Sequence, residues 1–210
     1  MKTKEKIIHT AIEMFNERGF GRVSLGEISQ QLNMSKGNLT YHFKNRGDLL
    51  KAIYEKMFTE MEGFVQSQDI PPLALLVKVP LVTQQFTHRY RFFFANLVTL
   101  SQEFPWIALQ HQQIVANRLK FATALLHNLV QRGEFLPEPQ PLVFEKLAHL
   151  VWMTTTFWHV QYPILPPDHP AHQTKALAST ISTIIQPFLS PKGLEEWNHL
   201  NAIQNENDQN

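Results

Sequence analysis

No cysteine occurs among the 210 residues. Disulfide frameworks, thiolate catalysis and cysteine-based zinc sites are thereby excluded, and the composition fits a reducing compartment. A long hydrophobic run is missing as well. The longest apolar stretch, residues 73–82, is interrupted by Lys78 and Pro80 and reaches only about half of the roughly 20 residues that cross a bilayer as a helix. The first dozen residues, MKTKEKIIHTAI, are basic without a continuous apolar region, so no secretory signal is read and a cytoplasmic protein without membrane association is expected. Catalytic signatures are absent too: Gly19-Phe20-Gly21 lacks the third glycine of a dinucleotide loop, and there is no P-loop, nucleophile elbow or His-Glu-x-x-His. The chain does not read as an enzyme, and no cofactor is expected. Among ten histidines only His169 and His172 stand at a ligand-like spacing. Pro170 separates them and Asp168 is their one nearby carboxylate, so they read as solvated loop residues and no metal is expected.

What is present is 43% hydrophobic and 11% aromatic content, which marks a globular protein of one or two domains. The net charge of +1 hides an asymmetry. Residues 1–47 carry eight Lys and Arg against four Asp and Glu, hence +4, whereas the remainder carries eleven against fourteen, hence −3. The basic end is suited to a polyanion, although four extra charges leave much of any phosphate contact to amides and hydroxyls.

That end contains SLGEISQQLNMSKGNLTYHF, residues 24–43, which reads as two short helices joined by a tight turn. Ser24 with Glu27 three residues on forms a capping box. Leu25, Ile28 and Leu32 then give one buried stripe, and Asn33 tolerates the left-handed conformation of a helix stop. Ser35 caps a second helix whose inward face is Leu39 and Phe43. At about 100° per residue, Gly37, Asn38, Thr40 and Tyr41 point the other way, with Lys36 and His42 on the flanks. Gly37 costs a helix interior about 1 kcal/mol relative to Ala, which a close backbone approach to a partner would explain. Lys36 and the free amides of the first turn suit a phosphate. Asn38 matches an adenine edge, and the Thr40 methyl can meet a thymine methyl. Tyr41 and His42 can donate to backbone phosphates, and Lys44 and Arg46 follow at the root of the next helix.

The run MSKGNLTYHFKNRGDLL, preceded by SLGEISQQLN and by a helix ending in ERGF, resembles the DNA-binding domain of the TetR family of bacterial transcriptional regulators over roughly residues 5–55. The resemblance implies that the helix holding Ser35 to His42 enters the major groove, with the positions of Ser24, Tyr41, His42 and Arg46 approaching phosphates. Thr40 departs from the family pattern, where tyrosine is frequent, and this bears on base preference.

A first helix, residues 4–18, carries Ile7, Ile8, Ala11, Ile12 and Phe15 on one face and stops at Gly19, after which Phe20 folds back. Asn45 caps a helix of about 20 residues, hence about 30 Å, that can act as a lever. Pro71-Pro72 marks the entry to a larger helical region. There Pro80 forces a kink or break, three adjacent phenylalanines at 92–94 cannot all face one core, and Pro105 opens a long helix ended by Gly133. Helices at about 142–162 and 170–189 follow.

The expected architecture is all-α: a helix-turn-helix domain at 1–47, a helical ligand-binding and dimerisation domain at 48–200, and a flexible tail at 201–210. Broad apolar faces on the last two helices (Leu147, Val151, Thr155 and Trp158; Leu177, Ile181, Ile184, Ile185 and Phe188) suggest a homodimer through a four-helix bundle, the competing reading being the monomer's own core. The family resemblance implies the same dimer. It also implies that a small molecule enters among the middle helices and tilts the lever helix, so that recognition helices lose register on a palindromic double-stranded DNA operator. Candidate lining residues are Met61, Phe64, Phe93, Leu97, Trp106, Gln113, Phe121, Trp152, Thr156 and His159, which suit a hydrophobic guest, with ordinary core packing the competing reading for each. A dimeric repressor released by a ligand is therefore expected. The alternative is a small-molecule-binding or interaction module without physiological DNA binding.

Overall fold

The computed structural model describes the backbone of residues 2–66, 70–173 and 175–207, and the side chains of those residues other than 62–66 and 204–207. In chain order the helices are α1 (Thr3–Arg18), α2 (Leu25–Gln31), α3 (Lys36–His42), α4 (Arg46–Gln66), α5 (Pro72–Arg89), α6 (Arg91–Ala95), α7 (Leu97–Glu103), α8 (Pro105–Gln131), α9 (Val143–Phe157), α10 (Ala176–Ile185) and α11 (Pro191–Asn207). Among the described residues the one β-type pairing is an isolated antiparallel bridge between Phe135 and Leu189. The all-α class is as expected.

The chain forms two compact units, Met1–Gln68 with Arg89–Pro105, and Asp69–His88 with Trp106–Asn210. They divide the chain elsewhere than at the expected boundary after residue 47. In the first unit α1 buries the anticipated face of Ile7, Ile8, Ala11, Ile12 and Phe15. Gly19, at φ 85°, ends α1 in a conformation that favours glycine. Phe20 then packs edge-on against Phe15 at 5.0 Å and parallel to Phe92 at 6.5 Å. The segment Arg89–Pro105 belongs to this unit for a definite reason. The Asn16 side chain donates to the Arg89 carbonyl at 2.8 Å and accepts from the Phe92 amide at 3.0 Å, which satisfies both backbone groups where the chain turns from α5 into α6.

Phe92, Phe93 and Phe94 are all buried, because the five-residue α6 is surrounded rather than laid on one surface: Phe92 meets Phe15, and Phe93 meets Tyr54. Further along, Phe104 reaches Gly47 so closely that a Cβ there would stand 3.0 Å from its ring. Asn45 caps α4 as expected, accepting the Asp48 amide at 2.9 Å.

In the second unit, Leu126, Leu129, Phe135, Phe144, Leu147, Trp158, Leu177, Ile181, Ile185, Leu189 and Trp197 form one core. This corrects the interface expectation. Leu147, Thr155, Trp158, Leu177, Ile181 and Ile185 are each no more than 8% exposed within a single chain, so their side chains are already covered by their own molecule. Val151, Ile184 and Phe188 are only partly buried. Helix α5 is continuous through Pro80 and breaks at Tyr90 instead. Helix α9 tightens into a 3-10 turn at Trp158–Ile164, and the helix expected over 170–189 contains only Ala176–Ile185 as α-helix.

Helix α11 has no counterpart among the expected elements, and the tail expected at 201–210 continues it to Asn207, with 208–210 outside the described residues. It is locked to the end of α8. Trp197 is 2% exposed, Lys192 Nζ donates to the Arg132 carbonyl at 2.8 Å, and Ser190 Oγ donates to the Gly133 carbonyl at 2.7 Å. Gly193 permits this approach, since a Cβ there would lie 1.8 Å from the Glu134 carbonyl oxygen. Gly193→Ala should therefore lower unfolding stability in urea by about 1–3 kcal/mol or more. Gly21→Ala, where an added Cβ meets nothing within 4 Å, serves as the neutral comparison.

Candidate nucleic-acid interface

Helices α2 and α3 are placed by their caps. Ser24 Oγ accepts the Glu27 amide at 3.2 Å, while the Ser24 amide and hydroxyl both donate to Glu27 Oε2 at 2.8 Å. Arg18 adds an ion pair to the other Glu27 oxygen. The Ser24 amide, then its hydroxyl, then Arg18 hold the Glu27 carboxyl down at about 2, against an ordinary 4.5. Asn33, at φ 51°, provides the expected left-handed stop of the turn. Ser35 Oγ accepts the Asn38 amide at 3.1 Å and starts α3.

The rotation of α3 follows from Leu39 and the Phe43 that ends it, which are 0% and 3% exposed. Ser35, Lys36, Gly37, Asn38 and Tyr41 are consequently exposed, with Thr40 and His42 partly so. Tyr41 stands 85% exposed with its ring edge-on to His42 at 5.3 Å. Gly37 is not demanded by the protein's own packing: an added Cβ would meet nothing closer than Ser35 Oγ at 3.9 Å. Lys44 is exposed just beyond α3. The outward face thus offers amide, hydroxyl, phenol, imidazole and ammonium groups and no aliphatic side chain, a set matched to phosphate oxygens and base edges.

Two residues expected to approach phosphates, Arg46 and Ser24, have hydrogen-bond partners within the fold. The Arg46 guanidinium lies 4.2 Å from the centre of the Phe20 ring and donates to the Phe20 carbonyl at 2.7 Å, so this side chain braces α4 against the end of α1. Both donors of Ser24 are engaged by Glu27, which makes this serine a cap. Sequence reasoning missed the parts played by Arg18, Asn16 and Phe104, which have no local signal; the folding back of Phe20 after Gly19 was expected.

Comparison with known proteins supports the same reading. Residues 7–53 match the model of the bacterial regulatory proteins of the tetR family, and residues 50–197 match that of the TetR bacterial transcriptional repressors. The chain belongs to the TetR family. Members of this family are transcriptional regulators and not enzymes. A probable HTH-type transcriptional regulator of Bacillus subtilis, YttP, is 25% identical over 166 residues, 73% of this chain and 77% of its own. A TetR-family regulator from Marinobacter aquaeolei superposes with a TM-score of 0.81 at 23% identity, covering 98% of both chains. SmeT in complex with triclosan superposes at 0.62 with 18% identity over 90% of this chain and 92% of its own.

The candidate ligand residues are divided between the two units. Met61, Phe93 and Leu97 fall in the first unit, where Phe93 is wholly buried against Tyr54; the side chain of Phe64 lies outside the described residues. Trp106, Gln113, Phe121, Trp152, Thr156 and His159 fall in the second. Phe121 is 56% exposed, and Gln113 is exposed with its amide donated to Asn117 at 3.0 Å, so these two sit on the outer surface of α8 and line no interior within one chain. Trp106 and Trp152 are partly buried. Of these residues, His159 meets α5. His159 Nε2 is 3.1 Å from the Gln84 carbonyl and its ring 5.0 Å from that of His88, while the Thr156 hydroxyl is buried without a hydrogen-bond partner. Gln84, His88 and Tyr162, the last 4.9 Å from His159, were not anticipated. Among the described residues no group of three or more His, Cys, Asp or Glu is arranged to hold a metal, and no helix is long and apolar enough to cross a membrane.

The folded-state pKa of Glu27 lies below its unfolded value, so its contribution to stability is present above about pH 4.5 and is lost as pH falls towards 2. Glu27→Gln should flatten the loss of thermal stability across that window. Gly37→Ala should leave the melting temperature unchanged or raise it, since a helix gains up to about 1 kcal/mol. In a binding assay the same change should weaken DNA affinity about tenfold or more, as overpacking of a tight contact does.

Proposed function

We propose that this chain is a dimeric, sequence-specific repressor that binds a palindromic operator in double-stranded DNA and is released by a hydrophobic small molecule. The observation that carries the DNA-binding part is the outward face of α3, where a glycine that the fold does not require stands among exposed Lys36, Asn38 and Tyr41. Two such helices read half-sites one helical turn apart, about 34–36 Å. The repressor sense rests on the description of the family model that spans most of the chain.

The dimer surface is assigned to the side of α9 left uncovered in a single chain. Leu150, Met153 and Phe157 recur at helical spacing on α9 and Val160 follows in the 3-10 turn; Leu150, Met153 and Val160 are 37–46% exposed. They form a stripe rotated away from the buried Leu147, Thr155 and Trp158, whereas Val151 and Ile184 pack, partly buried, against the core. For the ligand, the supporting likeness is SmeT, solved with triclosan. Thr156 and His159 are the polar groups assigned to orient a guest, and ligand binding opposes DNA binding through linkage. The site of action is the cytoplasm.

The test is selection of bound fragments from a random duplex library by the full chain, read for a two-fold repeat, with the mass of the complex measured on the recovered duplex. Two chains on a palindrome are expected. Lys36→Ala should weaken binding to all sequences and reduce its salt slope by about 1, whereas Asn38→Ala should relax preference at one base pair per half-site at a cost of about 1–3 kcal/mol. Indifference to every duplex would leave the small-molecule-binding module as the reading. A monomer on DNA at micromolar concentration would remove the α9 assignment.

A further inference from the structure

Thr40 carries more information than its type alone suggests. Its hydroxyl donates back to its own helix, 3.0 Å from the Lys36 carbonyl and 3.1 Å from that of Gly37. Threonine has a single hydroxyl proton, and here it is shared between two backbone acceptors. The side chain therefore has no donor left for guanine N7, guanine O6 or thymine O4. What remains for a partner is the γ-methyl and an oxygen lone pair. The residue is partly exposed, on a flank of α3 about 100° round the helix from buried Leu39.

The neighbouring position sharpens this. Gly37 lies one turn before Thr40 on the same face and has no side chain, and the space a Cβ would take there is open to 3.9 Å. A shallow notch thus adjoins the threonine methyl. Among the four bases only thymine presents a methyl group in the major groove. We propose that Thr40 is a specificity-determining residue that reads the C5-methyl of a thymine in each half-site through its own γ-methyl, with its hydroxyl donating no hydrogen bond to a base. This rests on the DNA-binding reading above and adds to it the chemistry of one recognised group.

The experiment uses the full-length protein and the operator recovered by selection. Each thymine of both half-sites is replaced in turn by deoxyuridine, which removes the methyl and leaves every hydrogen-bonding group in place. Wild-type protein should lose affinity about fourfold for each half-site so substituted at one position, the size of one buried methyl. Thr40→Val replaces the hydroxyl by a second methyl and should keep that preference for thymine. Thr40→Ser keeps the hydroxyl, removes the methyl and should bind the two duplexes equally. Each comparison is a ratio within one protein, so a change in folded fraction cancels. Equal affinity of the wild type for thymine and deoxyuridine at every position would overturn the proposal, as would loss of the preference in Thr40→Val, which would assign readout to the hydroxyl. Either result leaves operator binding standing, whereas failure to bind any duplex would remove the broader reading as well.

Discussion

With Leu39 at 0% exposure and Phe43 at 3%, helix α3 has one rotation about its axis open to it. Burying a leucine and a phenylalanine contributes about 1.5–3 kcal/mol each, so turning the helix to hide another face would forfeit more than any single side-chain hydrogen bond in this region returns. Everything on the outward face inherits its direction from that pair. Lys36, Gly37, Asn38, Thr40, Tyr41 and His42 are presented together because they are what is left of a seven-residue helix once Leu39 is committed. The caps at Ser24 and Ser35 then fix where the two helices begin, and the left-handed Asn33 fixes the turn between them.

Beneath this surface the first unit is held by contacts that reach far along the chain. Asn16 clamps the backbone at Arg89 and Phe92, Phe92 packs on Phe15 and Phe20, and Phe104 lies against Gly47 and 6.1 Å from Phe20. Arg46 closes the set by stacking on Phe20 and bonding its carbonyl. Phe20 is therefore the point where the end of α1, the start of α4 and the segment Arg89–Pro105 meet. The segment is tied to α1 by aromatic rings and by two hydrogen bonds of the Asn16 side chain, and α1 in turn packs against α2, the partner of α3. Coupling of this kind needs contiguous packed groups with little slack, and interiors at native density supply them.

The second unit is organised by a different constraint, the need to cover large apolar faces within one chain. Helices α9 and α10 do so against α8 and, through Trp197, against α11, which approaches because Gly193 lets two backbones come together. Once that core is filled, the apolar side chains still in water on α9 are those rotated away from it, Leu150 and Met153 among them. His159, just past the end of α9, lies beside Gln84 and His88.

Several features were legible in the residues because their causes are local. Ser24 with Glu27, Ser35, Asn33, Gly19 and Gly133 act over three or four positions, so a capping box or a left-handed stop is written in adjacent letters. The inward stripe of α3 and the family likeness over roughly residues 5–55 are of the same short-range kind, and they carried the DNA-binding interpretation. Tertiary structure alone decided what pairs with what. Periodicity assigned Leu177 and Ile181 to an apolar face without saying that α8 and α9 of the same chain would cover it, and it could not foresee that Arg46 would turn to Phe20, that three consecutive phenylalanines would all be buried, or that a helix beyond Pro191 would close the core. Amino-acid order determines which side of a helix avoids water; the partner that side meets depends on segments tens of residues away, and only folding brings them within reach.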